Sequence, residues 1–468
     1  MSEKKSVSMM GILLVAVSSI LVIDTVAASA IIGPSAIGWW VLFFFVFFLP
    51  YGLVTAELGT TYKDEGAIVD WVNRAFGRGS AARVSWLYWV NYSLWVPAVY
   101  YMFAIIAAQL MGLELGPFAI AIFATAMTWL TSYIATFDVE RLTWIASLGA
   151  IFKSVIMVIL GVGGLYVGFT NGFANPFTIW DTLPSFGDGG TYLPIIIFNV
   201  MGFEIIAGAA STFKDPERDI PKATVLGGIL ITFFYLLASL GILAVIPLAE
   251  ISDSSGVIDA FQLVFGTSGG AQILVYVIGV MVLYTLVSNV VTWAMGVNQT
   301  VVYAAQQGLM PKMFEGVSEK TGMPTTASWA NAWMGTATMV AYLVMVDRTG
   351  NEDLFWNVFS LGAIGLLASY VMMFPAFLKL RLTDKEAVRG YTIPGGTPVA
   401  VFCSVVPTLI LLGGLVFFFW VPGSPMDMEY FYTVGAGLLI AVIGGEFLIA
   451  KANREHRART DQKSVAAE

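Results

Sequence analysis

The feature that most constrains this chain is a series of apolar stretches, each long enough to cross a lipid bilayer. A hydrocarbon core of about 30 Å takes roughly 20 helical residues, and a segment in lipid must satisfy its own backbone hydrogen bonds. The stretches lie at roughly 9–32, 36–56, 84–111, 118–137, 143–169, 191–211, 223–246, 271–303, 325–346, 354–378, 399–420 and 430–450. The sequence therefore predicts an all-α membrane protein with twelve transmembrane helices (spans 1–12) in one polytopic domain, 1–468.

Composition supports the membrane class and argues against several others. The chain is 58% hydrophobic and only 12% charged, which is outside the range of soluble domains. It has one histidine, His456, and one cysteine, Cys403, too few for a His/Cys metal cluster. The hydrolase-like pattern at 266–270 has its serine on the opposite predicted face from His456, so no catalytic triad can form. We expect no enzyme activity, no cofactor, no metal and no nucleic-acid partner.

The placement of basic residues predicts the orientation. With the N-terminus in the cytoplasm, all 23 lysines and arginines except Lys153 and Arg348 fall on the cytoplasmic side. The positive-inside rule then places both termini in the cytoplasm of a cell (inner) membrane. Lys4 and Lys5 followed by an apolar run resemble a signal peptide, but the run is long for one, and we interpret it as span 1.

Three ionisable side chains lie deep inside these apolar segments. Lys153 is roughly 15 Å into span 5, and Asp24 and Glu204 are roughly 20 Å from the starts of spans 1 and 6, at 1.5 Å per residue. A charge at that depth is costly and usually marks a substrate or ion path. These residues are the first candidates for function.

Spans 1 and 6 are both predicted to be interrupted. Polar and small residues follow Asp24 in span 1, and Asn199, Gly202 and Glu204 lie in the middle of span 6. Because five spans separate the interruptions, the two helices cross in opposite directions, as an inverted repeat requires. The repeats would be 9–169 and 191–378. The alternative is that Gly202 is a packing glycine and Asp24 a hydrogen-bonded core residue.

Several segments resemble the amino acid–polyamine–organocation (APC) superfamily of permeases. The segment 199–223 is similar to the family's Gly-Phe-Glu break and its following loop, and the segments 49–77, 303–328 and 391–396 resemble other family loops. The last of these, YTIPGG, and the segment TWAMGVNQ at 292–299 are nearest to the glutamate/γ-aminobutyrate antiporter branch.

The resemblance implies an inverted 5+5 repeat (LeuT-like fold) with discontinuous helices 1 and 6, and with two peripheral helices within 399–450. It also implies alternating access around a midplane site formed by spans 1, 3, 6, 8 and 10. Where many members have a Gly-Ser-Gly break in span 1, this chain has Asp24-Thr25-Val26. That departure puts the usual capture of a substrate carboxylate by backbone N–H groups in doubt.

Lys153 lies in the motif GAIFK, which resembles proton-coupled members whose span 5 ammonium takes the place of sodium. Because burial disfavours the charged form of a lysine, Lys153 either exchanges a proton or stays a permanent cation bridging spans 1, 5 and 8. The predicted ion-coupling set also includes polar neighbours and one acid: Glu204, Ser288, Asn289 and Thr292. For Glu204, a gating or proton role and a structural role both stay open.

Asp24 has three interpretations: a counter-ion for a substrate amine, a proton acceptor, or an acid bonded to its own break or to Lys153. The first favours a cationic ligand over a diacid. Aromatic residues are expected to close over the substrate, because their faces attract ammonium groups. The predicted binding set is Asp24, Thr25, Ala27, Ala28, Ser29, Trp95, Asn199, Gly202, Phe203, Trp293 and Trp356.

Together these patterns predict a secondary active transporter of an amino acid or small amine, working as a proton symporter or an exchanger. Its partners would be that small molecule, protons and the lipid bilayer. The alternatives are a channel or a non-transporting nutrient sensor on the same scaffold. The sequence leaves the substrate, symport or exchange, and the oligomeric state open.

Overall fold

The structure, a computed structural model, describes residues 9–64, 66–208, 215–349, 355–423 and 425–467. These residues form 18 α-helices joined by short 3₁₀ and π segments. The helices are α1 Met9–Ile20, α2 Val26–Ala30, α3 Ser35–Phe43, α4 Leu49–Thr61, α5 Ile68–Phe76, α6 Arg78–Met111, α7 Pro117–Ile134, α8 Val139–Asn171, α9 Leu193–Phe198, α10 Phe203–Gly208, α11 Pro216–Val245, α12 Gly256–Phe265, α13 Gly269–Gln306, α14 Thr326–Thr349, α15 Phe355–Tyr370, α16 Met373–Thr383, α17 Gly396–Phe417 and α18 Met428–Ala467.

Ten helical segments of the described chain are long and apolar enough to cross a membrane, and they correspond to predicted spans 2–8 and 10–12. The segments are Ser35–Thr61, Arg78–Met111, Pro117–Ile134, Val139–Asn171, Gly190–Ala207, Pro216–Val245, Gly269–Gln306, Asn357–Thr383, Gly396–Phe417 and Met428–Gln462. Span 1 falls short because it is split into α1 and α2, and the helix of span 9, α14, is long but less apolar. The number twelve stays a prediction.

Both predicted interruptions are present as gaps between helices. In span 1, α1 ends at Ile20 and α2 begins at Val26; in span 6, α9 ends at Phe198 and α10 begins at Phe203. Around the gaps, α1 packs against α8, α11 and α13, and α10 packs against α4. The helix ends of the two gaps therefore lie inside the bundle, where their unpaired backbone groups need partners from other helices.

Small residues let α8 and α11, two of the helices that pack against α1, approach each other closely. A Cβ atom added at Gly164 would lie 2.2 Å from the carbonyl oxygen of Gly241, and one at Gly168 would lie 3.2 Å from the Cβ of Ala244. Side chains larger than hydrogen at either glycine would push the helices apart. This close packing fixes the position of α8, which carries Lys153.

A buried cluster joins the end of α4 to the end of α16. The Glu57 carboxylate is 2.6 Å from the Arg381 guanidinium and 3.5 Å from that of Arg389, and it accepts a 2.8 Å bond from the Ile393 N–H. The same face carries ion pairs between Arg83 and Glu446 and between Arg459 and Glu315. The ends predicted to be cytoplasmic are therefore together on one face of the bundle.

Candidate functional site

The break in span 1 deprives the last turn of α1 of its helical hydrogen bonds, and other helices replace them. In an uninterrupted helix the Val22 N–H would donate to the Ser18 carbonyl, but here it donates to the Tyr235 hydroxyl of α11 at 2.7 Å. The Ser18 carbonyl instead accepts from Lys153 Nζ of α8 at 2.6 Å. Lys153 thus caps a helix end that the break leaves open.

The next two carbonyls of α1 are capped by aromatic side chains. The Ser19 carbonyl accepts from the Trp293 indole N–H at 2.8 Å, and the Ile20 carbonyl is 3.1 Å from the Tyr235 hydroxyl. Three neighbouring helices, α8, α11 and α13, therefore each contribute a side chain to the same open helix end. Such a set of caps holds the break in one defined shape, because buried backbone groups without partners are costly.

Lys153 connects spans 1, 5 and 8. Besides the Ser18 carbonyl, its ammonium donates to Asn289 Oδ1 of α13 at 2.9 Å, and the side chain is fully buried. Both hydrogen-bond acceptors are neutral oxygens, and the ammonium interacts with the Asp24 carboxylate through charge, without a hydrogen bond.

The other two predicted partners of Lys153 in span 8 bind elsewhere. The Thr292 hydroxyl lies 2.8 Å from the Ser18 hydroxyl, and the Ser288 hydroxyl donates to the Ile145 carbonyl of α8 at 3.1 Å. They join span 8 to spans 1 and 5 without contacting the ammonium by a hydrogen bond. Asn289 is the member of this group that bonds Lys153.

One tyrosine organises the break in span 6. The Tyr51 hydroxyl of α4 accepts from the N–H groups of Gly202 at 3.0 Å and Phe203 at 2.9 Å, and it donates to Glu204 Oε2. Its one proton and two lone pairs are then all used. The Tyr88 hydroxyl of α6 donates to Glu204 Oε1 at 2.6 Å. Glu204 is therefore tied to spans 2 and 3.

Gly202 is required at this break for its backbone shape. Its φ is +129°, and a Cβ atom there would lie 3.1 Å from Ile20 Cγ1. The position favours glycine both because side chains rarely adopt this φ and because span 1 is so close. Gly202 is therefore both part of the break and a residue that allows close packing against span 1.

Replacing Tyr51 with phenylalanine should lower the free energy of unfolding by ~1–3 kcal/mol, because two backbone N–H groups and one carboxylate oxygen lose a shared partner. The matched control is Tyr100→Phe, since Tyr100 is fully buried and its hydroxyl has no hydrogen-bond partner among the described residues. Thermal unfolding of both purified variants in detergent measures the difference. Equal midpoints would contradict the role given to Tyr51.

The two breaks are joined directly to each other. The Thr25 hydroxyl donates to Asn199 Oδ1 at 2.5 Å, and the Asn199 carbonyl lies 3.3 Å from the same Tyr235 hydroxyl that caps span 1. Hydrogen bonds of Thr25 and Tyr235 therefore link the two breaks.

Asp24 differs from the other polar residues of the breaks. Its side chain is 3% exposed, and neither carboxylate oxygen has a hydrogen-bond partner among the described residues. Lys153 acts on it electrostatically, and the neighbouring donors are its own backbone N–H and the Trp95 indole N–H, which has no other partner among the described residues. Buried carboxylates are nearly always bonded, so Asp24 differs in this respect from Glu204, whose two oxygens both accept from tyrosine hydroxyls.

A small cavity lies between the breaks and spans 3, 8 and 10. It has about 10 Å³ for the centre of a water-sized sphere, which is room for about one water molecule. Its lining combines residues of both breaks with aromatic and apolar side chains: Val22, Asn91, Tyr92, Trp95, Phe198, Met201, Trp293 and Leu366. A substrate larger than water can enter only when these side chains move apart.

Several predicted binding residues lie outside this cavity. Ala27 and Ala28 are buried in α2, and the Ser29 hydroxyl bonds the Val26 carbonyl in the same helix. The Phe203 ring stacks on Phe48, with ring centroids 5.0 Å apart. The Trp356 side chain lies outside the described residues. In this structure Trp95 and Trp293 are the predicted binding residues that line the cavity.

Sequence reasoning missed the residues that hold the breaks in place. Tyr51, Tyr88 and Tyr235 supply the hydroxyl groups, and Ser18 supplies the carbonyl for Lys153. A buried tyrosine in an apolar span was the available signal, because its hydroxyl needs a partner. With 18 tyrosines in the chain, that signal does not single these out.

The family follows from comparison with known proteins. A family model described as amino acid permease matches residues 7–443. The chain belongs to the amino acid permease family. This confirms the resemblance to the APC superfamily, and with it a transporter rather than an enzyme. A multi-pass protein of this family has the lipid bilayer and a small-molecule substrate as its partners.

Two relatives of this permease are described as antiporters, one of them as a probable one. The chain is 33% identical to a probable agmatine/putrescine antiporter of Lactococcus lactis over 96% of this chain and 95% of that protein. It is 23% identical to a glutamate/γ-aminobutyrate antiporter of the same species, over 85% and 80% of the two chains. The glutamate/γ-aminobutyrate antiporter branch expected from the motifs is thus represented among the relatives. The identity of this chain to that antiporter is lower than its identity to the agmatine/putrescine antiporter.

A solved structure supports the fold. The manganese transporter of Eremococcus coleocola, solved with an aromatic bis-isothiourea compound, superposes with a TM-score of 0.58 at 13% identity, over 96% of this chain and 95% of that one. This likeness shows a common helical transporter fold and, at such low identity, the fold alone.

Proposed function

We propose that this permease exchanges small cationic amines of the agmatine or putrescine type across the cytoplasmic membrane, with both termini in the cytoplasm. The observation that carries the proposal is the Asp24 carboxylate, which is buried between the two helix breaks and has no hydrogen-bond partner among the described residues. An ammonium or guanidinium group supplies the hydrogen-bond donors that this carboxylate lacks, together with a positive charge in direct contact. The 33% identical relative, a probable agmatine/putrescine antiporter, supports the same substrate class.

The backbone at the breaks is poorly suited to a substrate carboxylate. The Val22 N–H is used by Tyr235, the Val26 N–H by the Ile23 carbonyl, and the N–H groups of Gly202 and Phe203 by Tyr51. These are four of the N–H groups that could otherwise capture an anion at a helix break. A substrate with amino or guanidino groups and no carboxylate fits the donors and acceptors that are left.

Aromatic side chains complete a site for a cation. Trp95 and Trp293 line the cavity with ring centroids 6.3 Å apart, and Tyr92 lies 6.3 Å from Trp95. Indole faces stabilise a desolvated cation by up to ~2 kcal/mol. The alkyl part of a diamine would pack against the same rings.

Transport would follow alternating access between two inverted repeats, 9–169 and 191–378, with 399–450 at the periphery. Lys153 supports this proposal by filling, without sodium, the place where spans 1, 5 and 8 meet. Glu204, bonded by Tyr51 and Tyr88, would gate the path from the break of span 6. If the permease does not exchange one amine strictly for another, protons are the proposed coupling ion.

The test is uptake into liposomes holding purified protein, with radiolabelled agmatine and putrescine outside. Liposomes preloaded with unlabelled amine should take up the label much faster than empty ones, and glutamate, γ-aminobutyrate and neutral amino acids should not compete. Uptake driven equally well by preloaded amino acids would overturn the substrate class. Uptake with no dependence on preloading or a pH gradient would instead indicate a channel.

A further inference from the structure

A second cavity lies far from the breaks, on the side of the bundle that faces lipid. It is a groove of about 480 Å³ between α16 and α17. Leu378 and Leu382 line it from α16, and Val405 and Leu409 line it from α17. Leu382, Val405 and Leu409 are 47%, 44% and 61% exposed, as expected of side chains that meet acyl chains.

One end of the groove carries a cation. Lys379 lines the groove in the last turns of α16, close to Arg381 of the Glu57 cluster. Its side chain is exposed, and its ammonium lies 4.9 Å from the centroid of the Phe76 ring. Asp384, the next acidic residue after Lys379 in the sequence, accepts a hydrogen bond from the Tyr62 hydroxyl. No described carboxylate forms an ion pair with Lys379.

We propose that this groove binds one anionic phospholipid, with an acyl chain between α16 and α17 and the headgroup phosphate at Lys379. The apolar walls take the acyl chain out of the bulk lipid, and the lysine stem reaches to the membrane surface, where its ammonium meets the phosphate. Basic pockets between membrane helices on the cytoplasmic side bind anionic headgroups in this way.

Charge favours a lipid over a second copy of this chain as the occupant. In a two-fold dimer formed through this face, each copy would bring its own Lys379 toward the other. Neither ammonium would then gain a counter-charge. A phospholipid with a negative headgroup supplies that charge and the apolar chain together.

Native mass spectrometry of the full-length protein, titrated with phosphatidylglycerol and separately with phosphatidylcholine, tests the proposal. One phosphatidylglycerol should bind more tightly than any phosphatidylcholine. Lys379→Gln should weaken that binding about fivefold, the effect of one interfacial lysine, and Lys379→Arg should restore it. The matched control is Lys320→Gln, an exposed lysine in the loop after α13, which should leave binding unchanged.

A second variant tests the groove without touching charge. Val405→Trp, at a half-exposed position, should fill the groove and weaken phosphatidylglycerol binding while leaving the unfolding temperature unchanged. The proposal is overturned by equal binding of the two lipids, by equal losses in Lys379→Gln and Lys320→Gln, or by unchanged binding in Val405→Trp. A dimer that Val405→Trp dissociates would assign the groove to a second copy instead.

Discussion

Asp24→Asn should lower the affinity for agmatine and putrescine by a factor between about 10² and 4 × 10³, since removing one partner of a buried ion pair costs roughly 3–5 kcal/mol. A substrate cation beside Trp95 would then have no carboxylate at position 24 to pair with. Binding to the purified protein, measured by calorimetry or scintillation proximity, gives the change directly. Exchange in liposomes should fall in parallel.

The stability of the same variant separates a binding role from a structural one. Because the described residues give the Asp24 carboxylate no hydrogen bond, Asp24→Asn should unfold at the wild-type temperature or above it. If Asp24 were instead held by its own break, the variant would unfold at a lower temperature. Retained binding together with lost stability would refute the counter-ion assignment.

The matched control for Asp24 is Asp259, an acid whose carboxylate is hydrogen-bonded. The Asp259 carboxylate accepts from Gln109 at 2.7 Å and from the Ser255 hydroxyl at 2.7 Å, and it lies on the face opposite the Glu57 cluster. Asp259→Asn should lower the unfolding temperature and leave amine affinity unchanged. The two substitutions remove the same charge, so a shared effect would show that net charge alone is responsible.

Lys153→Met should nearly abolish exchange, and sodium should not restore it. The variant leaves the Ser18 carbonyl and Asn289 Oδ1 without their donor. At ~1–3 kcal/mol for each orphaned acceptor, even the lower total of about 2 kcal/mol corresponds to roughly thirtyfold in the population of the ordered break. Uptake by wild-type and variant liposomes in sodium and in choline buffers measures the effect.

The same experiment under a pH gradient separates the two interpretations of Lys153. If Lys153 exchanges a proton, wild-type uptake responds to the gradient and the residual uptake of Lys153→Met does not. If Lys153 is a permanent cation, wild-type uptake is indifferent to the gradient and depends only on preloaded amine. Strong sodium-dependent uptake that is unchanged in Lys153→Met would rule out both interpretations of Lys153.

Much of the helical layout was predictable because a bilayer constrains a sequence along one dimension. Apolar length alone placed ten of the predicted spans on helical segments, although the segment of span 7 begins seven residues earlier than predicted and that of span 12 ends twelve residues later. The gaps in spans 1 and 6 were also predictable, because Asp24 and Gly202 do not suit an uninterrupted apolar helix. The count of twelve was less secure, because a broken helix such as span 1 has no single long apolar segment.

The partners of the buried residues were not predictable in the same way. Lys153 and Ser18 are 135 positions apart, and Tyr51 and Gly202 are 151 apart. Nothing in the local pattern around Tyr51 shows that its hydroxyl meets the break of span 6. Ser288 and Thr292 looked as suitable for Lys153 as Asn289 did, and only the rotation of α13 against α8 selected Asn289.

The sequence by itself determined that this chain is a helical membrane protein, where two helices are interrupted, and which three charged side chains lie deep inside the apolar segments. It could do so because lipid tolerates neither unpaired backbone nor isolated charge, whatever the rest of the chain does. Only the tertiary structure decided that Lys153 and Glu204 have hydrogen-bond partners while the Asp24 carboxylate has none among the described residues. That difference arises from which helices happen to face each break, and hydrogen bonds between helices depend on distance and angle in space.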